Sequence, residues 1–168
     1  MHKSTQGKIH PRGCQSMKKA VQHLQIIGRN DEYGTPQELF DQACKEYDIH
    51  PQVDICASKE NHVLDSYMTK ERTCFSVGIS RDFFMNPPYS EITKFMKFAR
   101  ESHEKHNVNV LILAYSKTDT KWWHDYVEGK SEIHNIKGRI RFNCKHGYPK
   151  DNVAPYPSCF IIWRKNVS

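Results

Sequence analysis

The chain has 168 residues, 38% of them hydrophobic and 26% charged, enough for one globular domain with a sizeable core. It has no apolar run of 18 residues and no apolar leader at its start, so neither a membrane span nor a signal peptide is expected. Its formal net charge of +6 is uneven: residues 1–30 hold six Lys/Arg and no Asp/Glu, while residues 31–168 hold nineteen of each. Residues 129–168 are locally basic too, with eight Lys/Arg against Glu132 and Asp151. This pattern suits a polyanionic partner; the plainer reading is a solvated tail.

Residues 1–30 read as a basic, partly flexible extension in which Met17 to Ile27 can form a short helix, and residues 31–168 as the domain proper. Thr35 followed by Pro36, with Glu38 three residues after Thr35, predicts the start of a helix to about Tyr47. Val53-Asp54-Ile55-Cys56-Ala57 reads as a short strand running into a loop. Ser66 to Thr69 reads as a second strand, with Glu71 just beyond. The stretch from Cys74 to Ser80 is ambiguous, with Gly78 marking a break. Asp82 begins the next strand or contacts a ligand.

Phe83-Phe84-Met85 is a buried run that Asn86-Pro87-Pro88 must stop, because proline has no N–H for a ladder and a fixed φ. Ile92, Phe95, Met96 and Ala99 then recur at helical spacing to about Glu104, with Ser90 as a candidate N-cap. Val108 to Tyr115 is the plainest buried strand. It ends at Ser116 to Thr120, where Asp119 or Thr120 would cap a helix carrying Trp122 and Trp123. One of these adjacent tryptophans is expected to face outward. Glu132 to Lys137 and Gly138 to Phe142 each alternate, suggesting a strand pair or one bent strand. The alternation sets Arg139 and Arg141 opposite Ile140 and Phe142. Asn143 to Pro157 is a loop, and Ser158 to Trp163 a final buried strand. Strand and helix alternate until antiparallel strands close the chain. The predicted fold is α/β: three-layer and Rossmann-like, with a mainly parallel sheet and antiparallel C-terminal strands.

The hinge Asn86-Pro87-Pro88-Tyr89 carries the chemistry. It lies where a strand ends and a helix begins, at the carboxyl edge that open α/β sheets use for ligands. An exocyclic amine conjugated to a ring is a poor nucleophile because its lone pair is delocalised. The Asn86 side-chain oxygen and the Pro87 carbonyl can accept hydrogen bonds from such an amine and favour its pyramidal, attacking form. Tyr89 offers a flat face to a base taken out of its stack. The alternative is a turn with an aromatic packing handle.

Asn86-Pro87-Pro88-Tyr89 resembles the catalytic (D/N)PPY motif of S-adenosylmethionine-dependent amino methyltransferases. The wider pattern resembles the phage-type DNA N6-adenine methyltransferases over roughly residues 31 to 165. The segments carrying it are Tyr33-Gly34-Thr35-Pro36 with Leu39-Phe40, Val53 to Ala57 with Asn61, and the Asn86 motif. They continue with Ser116, Asp119-Thr120 and Trp122-Trp123-His124, then Gly138-Arg139-Ile140 with Phe142. The resemblance implies methyl transfer from S-adenosylmethionine to N6 of a flipped adenine in double-stranded DNA. It implies catalytic roles for Asn86, Pro87, Pro88 and Tyr89. Tyr33, Thr35, Pro36, Asp54, Ala57 and Asn86 would line the cofactor pocket. Glu71 is added as a ribose contact by its position after the second strand. Ser116, Asp119, Thr120, Trp122 and Trp123 would wall the base pocket, and Arg139 and Arg141 would meet phosphates.

One departure stands out: Ser58-Lys59-Glu60-Asn61 follows Ala57 where cofactor loops usually carry glycines. That keeps a catalytically inactive DNA-binding module open as a rival, beside RNA adenine and protein glutamine methyltransferases. No metal is expected, since the six cysteines at 14, 44, 56, 74, 144 and 159 form no CxxC pair or zinc template. Buried free thiols place the chain in a reducing cytoplasm, bacterial, archaeal or of a phage-infected host.

Overall fold

A computed structural model describes residues 33–69, 74–143 and 153–166. The N-terminal extension, where a helix from Met17 to Ile27 is expected, Glu71, and most of the loop before Pro157 lie outside the described residues. In chain order the elements are α1 (Gln37–Glu46), β1 (Val53–Asp54), α2 (Cys74–Val77), β2 (Phe83–Met85), a 3-10 turn (Tyr89–Glu91) and α3 (Ile92–His106). Then come β3 (Val110–Tyr115), α4 (Lys121–Tyr126), β4 (Glu132–Asn135) and β5 (Ser158–Trp163).

The five strands form one sheet in the order β1-β2-β3-β5-β4. β1, β2 and β3 run parallel. β5 is antiparallel to both β3 and β4, so β4 points the same way as the first three. The mixed sheet, with a parallel first half, matches the fold expected of the sequence.

The two-residue period of a strand sends neighbouring side chains to opposite faces, and the core divides accordingly. Phe83, Met85, Val110, Ile112, Ala114, Ile161 and Trp163 face a layer built from Phe95, Met96 and Ala99 of α3 with Trp122 and Trp123 of α4. Phe84, Leu111, Leu113, Tyr115, Phe160 and Ile162 face Phe40 and Ala43 of α1, together with Ile140 and Phe142. Every residue of β2, β3 and β5 is buried. This is why those strands are continuous apolar runs rather than alternating ones. β4 is the edge, largely exposed, and its charged Glu132 and polar His134 and Asn135 suit a strand with one open side.

Three local expectations are corrected. Ser66 to Thr69 is not a full strand: Tyr67 makes a single parallel bridge to Asp54, flanked by Asp54 N–H to Ser66 O and Met68 N–H to Asp54 O. Gly138 to Phe142 does not pair with β4. Gly138 takes φ +85°, which turns the chain away, and Arg141 and Asn143 form only isolated bridges to Val153 and Gly34. Trp122 and Trp123 are both buried, at 5% and 4% exposure, with rings edge to face at 5.6 Å; neither faces outward. The exposed side of α4 is given to Lys121, His124 and Asp125, and both tryptophans join the core on that face of the sheet.

The amino edge of the sheet is tied by side-chain amides. Asp82 accepts from the backbone N–H and side chain of Asn109, each at 2.8 Å. Asn107, in the left-handed region at the end of α3, exchanges hydrogen bonds with the backbone of Asn166. Asp82 therefore anchors the start of β3, far along the strand from its carboxyl end.

Candidate active site

The parallel strands end on a common edge. β1 delivers Asp54, β2 delivers Asn86 and β3 delivers Ser116 there, and pairing of Tyr115 with Ser158 and of Asn135 with Cys159 brings β5 and β4 to the same edge.

At the end of β2, Asn86 is half-buried and Pro87 buried. Pro88 is extended, at φ −61° and ψ 127°, and its carbonyl accepts from Glu91 N–H at 3.1 Å. The two prolines end the ladder, and the chain turns through Tyr89–Glu91 into α3. The side-chain amide of Asn86 donates to the Tyr33 carbonyl at 2.9 Å and to the Thr35 hydroxyl at 3.2 Å. Thr35 thus does not cap α1. Pro36 occupies the cap position, where its ring has no polar atom to offer, and the threonine oxygen is engaged across the fold.

Tyr89 lies flat on Tyr115, with ring centroids 3.7 Å apart and planes 5° from parallel. Its hydroxyl is buried, and its pKa stands well above the ordinary phenol value, chiefly through burial, with Tyr115 adding to the rise. One face of Tyr89 is therefore taken by Tyr115, which leaves at most the other for a ligand. Beyond the pair, Tyr156 leans on Tyr115 at 5.5 Å, and Lys117 Nζ sits 4.0 Å over the Tyr156 ring. The sequence reading missed Tyr115, which looked like the last residue of a core strand. The signal was its place at a carboxyl end, one residue before Ser116.

Asp54 is 2% exposed. Its two oxygens accept from Cys56 N–H and Val63 N–H, each at 3.2 Å, which folds residues 55–63 into a closed loop. Burial raises its pKa to about 6 against the opposing pull of those two N–H groups. Ala57 is buried and donates its N–H to Met68 O at 3.1 Å. His62 and Tyr67 stack at 4.3 Å beside this loop. In place of glycines, backbone bonds to one carboxylate shape the turn.

Gly34 joins Asn143 in a two-bond bridge, N–H to O at 3.0 and 2.9 Å. A Cβ there would lie 3.0 Å from Asn61 Cβ and 3.3 Å from Asn143 O, so the close approach favours glycine. Tyr33 stacks on Phe142 at 4.8 Å. Together these contacts bring the Tyr33–Pro36 segment, Asn86 and the chain after Gly138 to one place.

The remaining predicted residues spread outward. Ser116 donates its N–H to Pro157 O at 2.9 Å, and its hydroxyl lies 3.4 Å from Asn135 Oδ1. Thr120 sits at the cap of α4, but its hydroxyl donates to Lys117 O at 2.7 Å. Asp119 is exposed, as are Arg139 and Arg141, whose neighbours Ile140 and Phe142 are buried as their alternation required. A polar cleft of about 540 Å³ lies at the opposite edge, among Arg100, His103, Asn107, Glu132 and Arg164. Four of its charges pair with one another, Arg100 with Glu104 and Arg164 with Glu132, and Lys130 Nζ is held by the backbone carbonyls of His124 and Asp125. Among the described residues no group of three or more His, Cys, Asp or Glu could hold a metal ion. None of their helices is long and apolar enough to cross a membrane.

A mixed sheet covered on both faces, with an Asn-Pro-Pro-Tyr hinge at the carboxyl edge of its parallel half, defines a Rossmann-like methyltransferase domain. The sequence model of the DNA N-6-adenine-methyltransferase (Dam) family matches residues 25–168. The chain belongs to that family. It is similar to a DNA N-6-adenine-methyltransferase of Haemophilus phage HP1 (strain HP1c1), 31% identical over 114 residues, which are 67% of this chain and 66% of the relative. It is also similar to a DNA N-6-adenine-methyltransferase of Escherichia phage T1, 30% identical over 105 residues, 61% of this chain and 43% of that protein. The matched segments span just under two thirds of the first relative and under half of the second.

Proposed function

We propose that the chain transfers a methyl group from S-adenosylmethionine to the N6 amino group of an adenine flipped out of double-stranded DNA. The observation that carries this reading is the hinge at the carboxyl end of β2. Acceptor oxygens and an aromatic ring are set there by two prolines that can donate nothing. The Asn86 Oδ1 and the Pro87 carbonyl accept from the exocyclic amine and hold it as it becomes pyramidal. Tyr89, backed by Tyr115, takes the adenine on its remaining face. Asp119, Thr120, Arg139 and Arg141 meet the DNA around the base.

The cofactor's residues fit the same edge. Leu39 N–H already donates to Pro36 O at 3.1 Å, but the N–H groups of Gln37 and Glu38 have no partner within the helix, no side chain caps them, and they suit a carboxylate. Tyr33, Pro36 and the Asp54 to Ala57 turn would hold the molecule, with Asp54 shaping the loop and the Thr35 hydroxyl turned to Asn86 instead. The cofactor supplies an electrophilic methyl on a sulfonium, so the protein needs neither a covalent intermediate nor a metal.

The test is a labelled-methyl assay on DNA lacking N6-methyladenine, with RNA and protein as competing acceptors. Wild type labels DNA, and Asn86→Ala lowers the rate on the order of a hundredfold. Tyr89→Leu weakens DNA use, while Tyr89→Phe keeps the stack and most of the activity. Equal labelling by wild type and Asn86→Ala would remove the mechanism.

A further inference from the structure

We infer that Thr35 and the Tyr33 carbonyl are positioning groups that lock the Asn86 amide with Oδ1 turned to the substrate side, making asparagine rather than aspartate obligatory at this position. This rests on the proposed transfer to an exocyclic amine.

An asparagine side chain has a donating end and an accepting end, and the two have nearly the same shape. Left alone, either could face a substrate. Here the neighbours decide. A backbone carbonyl has lone pairs and no hydrogen, so the Asn86 atom 2.9 Å from Tyr33 O must be the nitrogen. The hydrogen-bond partner itself removes the ambiguity of the amide's orientation. The Thr35 hydroxyl takes the other amide hydrogen at 3.2 Å. Thr35 is 5% exposed, so water does not replace it readily. With both hydrogens engaged, the remaining capacity of Asn86 is to accept, through Oδ1. An amine being drawn towards attack needs an acceptor, whereas an amide flipped the other way would present hydrogens to hydrogens.

Aspartate fails on the same geometry. Its second oxygen would replace the nitrogen 2.9 Å from the Tyr33 carbonyl, setting two acceptors face to face. The Thr35 hydroxyl could rotate and donate to it, but a carbonyl cannot. The motif class admits either residue, yet this neighbourhood admits one. Two links join here. Pro36 is the cap residue of α1, and the segment before it is held at Gly34 by the bridge to Asn143, so the start of α1 and the end of β2 are registered through one amide.

The experiment uses the full chain labelled with ¹⁵N. The Asn86 side-chain NH₂ signals are assigned by their loss in Asn86→Asp. In wild type they exchange slowly with water. Thr35→Val speeds that exchange and shifts one of the two protons, and Thr35→Ser restores both. Unchanged Asn86 signals in Thr35→Val overturn the inference, whatever the enzyme's activity. With DNA, Thr35→Val lowers kcat roughly tenfold, leaves the KM for DNA and the Kd for S-adenosylmethionine within about twofold, and is rescued by Thr35→Ser. A matching loss of S-adenosylmethionine affinity would instead make Thr35 a cofactor contact and sink the positioning role. Asn86→Asp has a lower Tm than wild type and transfers little methyl; an aspartate variant as stable and active as wild type overturns the inference. Should wild type label no DNA, the functional reading falls, and the amide exchange and Tm measurements still decide this one.

Discussion

Asp54 shows how one residue type can carry two readings. An acidic residue at the end of a first strand suggests a ligand contact, but both of its oxygens hold the backbone of its own loop. Its pKa of about 6 lies above that of an aspartate in an unfolded chain, near 3.9. The folded state therefore binds the proton more tightly. The stabilisation this gives is full below about pH 4 and is lost as pH rises through about 6. A shift of this size is worth roughly 2–3 kcal/mol. Asp54→Asn removes the ionisation but replaces one acceptor with an amide that faces a backbone N–H, at a cost of about 1–3 kcal/mol. Wild type should thus exceed the variant in Tm most at low pH, and the gap should narrow between about pH 4 and a little above 6. Thermal unfolding of the two proteins across that range checks it, and a gap independent of pH would contradict the titration.

Among the elements, those that depend on burial alone were legible. The apolar runs of β2, β3 and β5 and the helical spacing of α3 follow from covered faces and a 3.6-residue period, and the sequence carries both. Elements that depend on a distant partner were not. Thr35 has the residue type, and its neighbours the spacing, of a helix cap; its oxygen goes to Asn86, 51 positions away. Gly138 to Phe142 has strand alternation but finds only bridges, since a residue at φ +85° precedes it. The hinge was legible because proline acts locally, while the clamp behind it and the Tyr115 backing of Tyr89 were not, because both are contacts across the sheet. Gly34 is the point where this long-range assembly can be tested. Alanine there must displace Asn61 or the Asn143 carbonyl by a few tenths of an ångström. We expect Gly34→Ala to cost roughly 1 kcal/mol, about 4 °C in Tm, with faster exchange of the Asn143 N–H. A variant with the wild-type Tm and protected Asn143 would show that the segment yields without loss.

At the scale of the whole molecule the argument turns on charge. The family match begins at residue 25, and Lys3, Lys8, Arg12, Lys18 and Lys19 precede it. From residue 31 on, acidic and basic residues are equal in number, so the domain alone has little net attraction for a polyanion. Its local exception is the stretch with Arg139 and Arg141, exposed on the side opposite their buried neighbours. Two contributions to DNA binding follow, and they differ in what they change. On the proposed function, phosphate contacts from the extension would act through counterion release, setting affinity and its dependence on salt without touching the reacting base. On the same reading, Arg139 and Arg141 would hold the duplex where the base must enter, so they would bear on turnover as well. Glutamine at the five extension positions, in the full chain, should weaken DNA binding and flatten the plot of log affinity against log salt by about 0.9 for each phosphate no longer neutralised. The kcat at saturating DNA should stay at the wild-type value. Arg139→Gln with Arg141→Gln should weaken binding less than the five substitutions do, but lower kcat too. A salt dependence unaltered by the five substitutions would make the extension a solvated tail, and the attraction for DNA would have to come from the domain's own basic stretch.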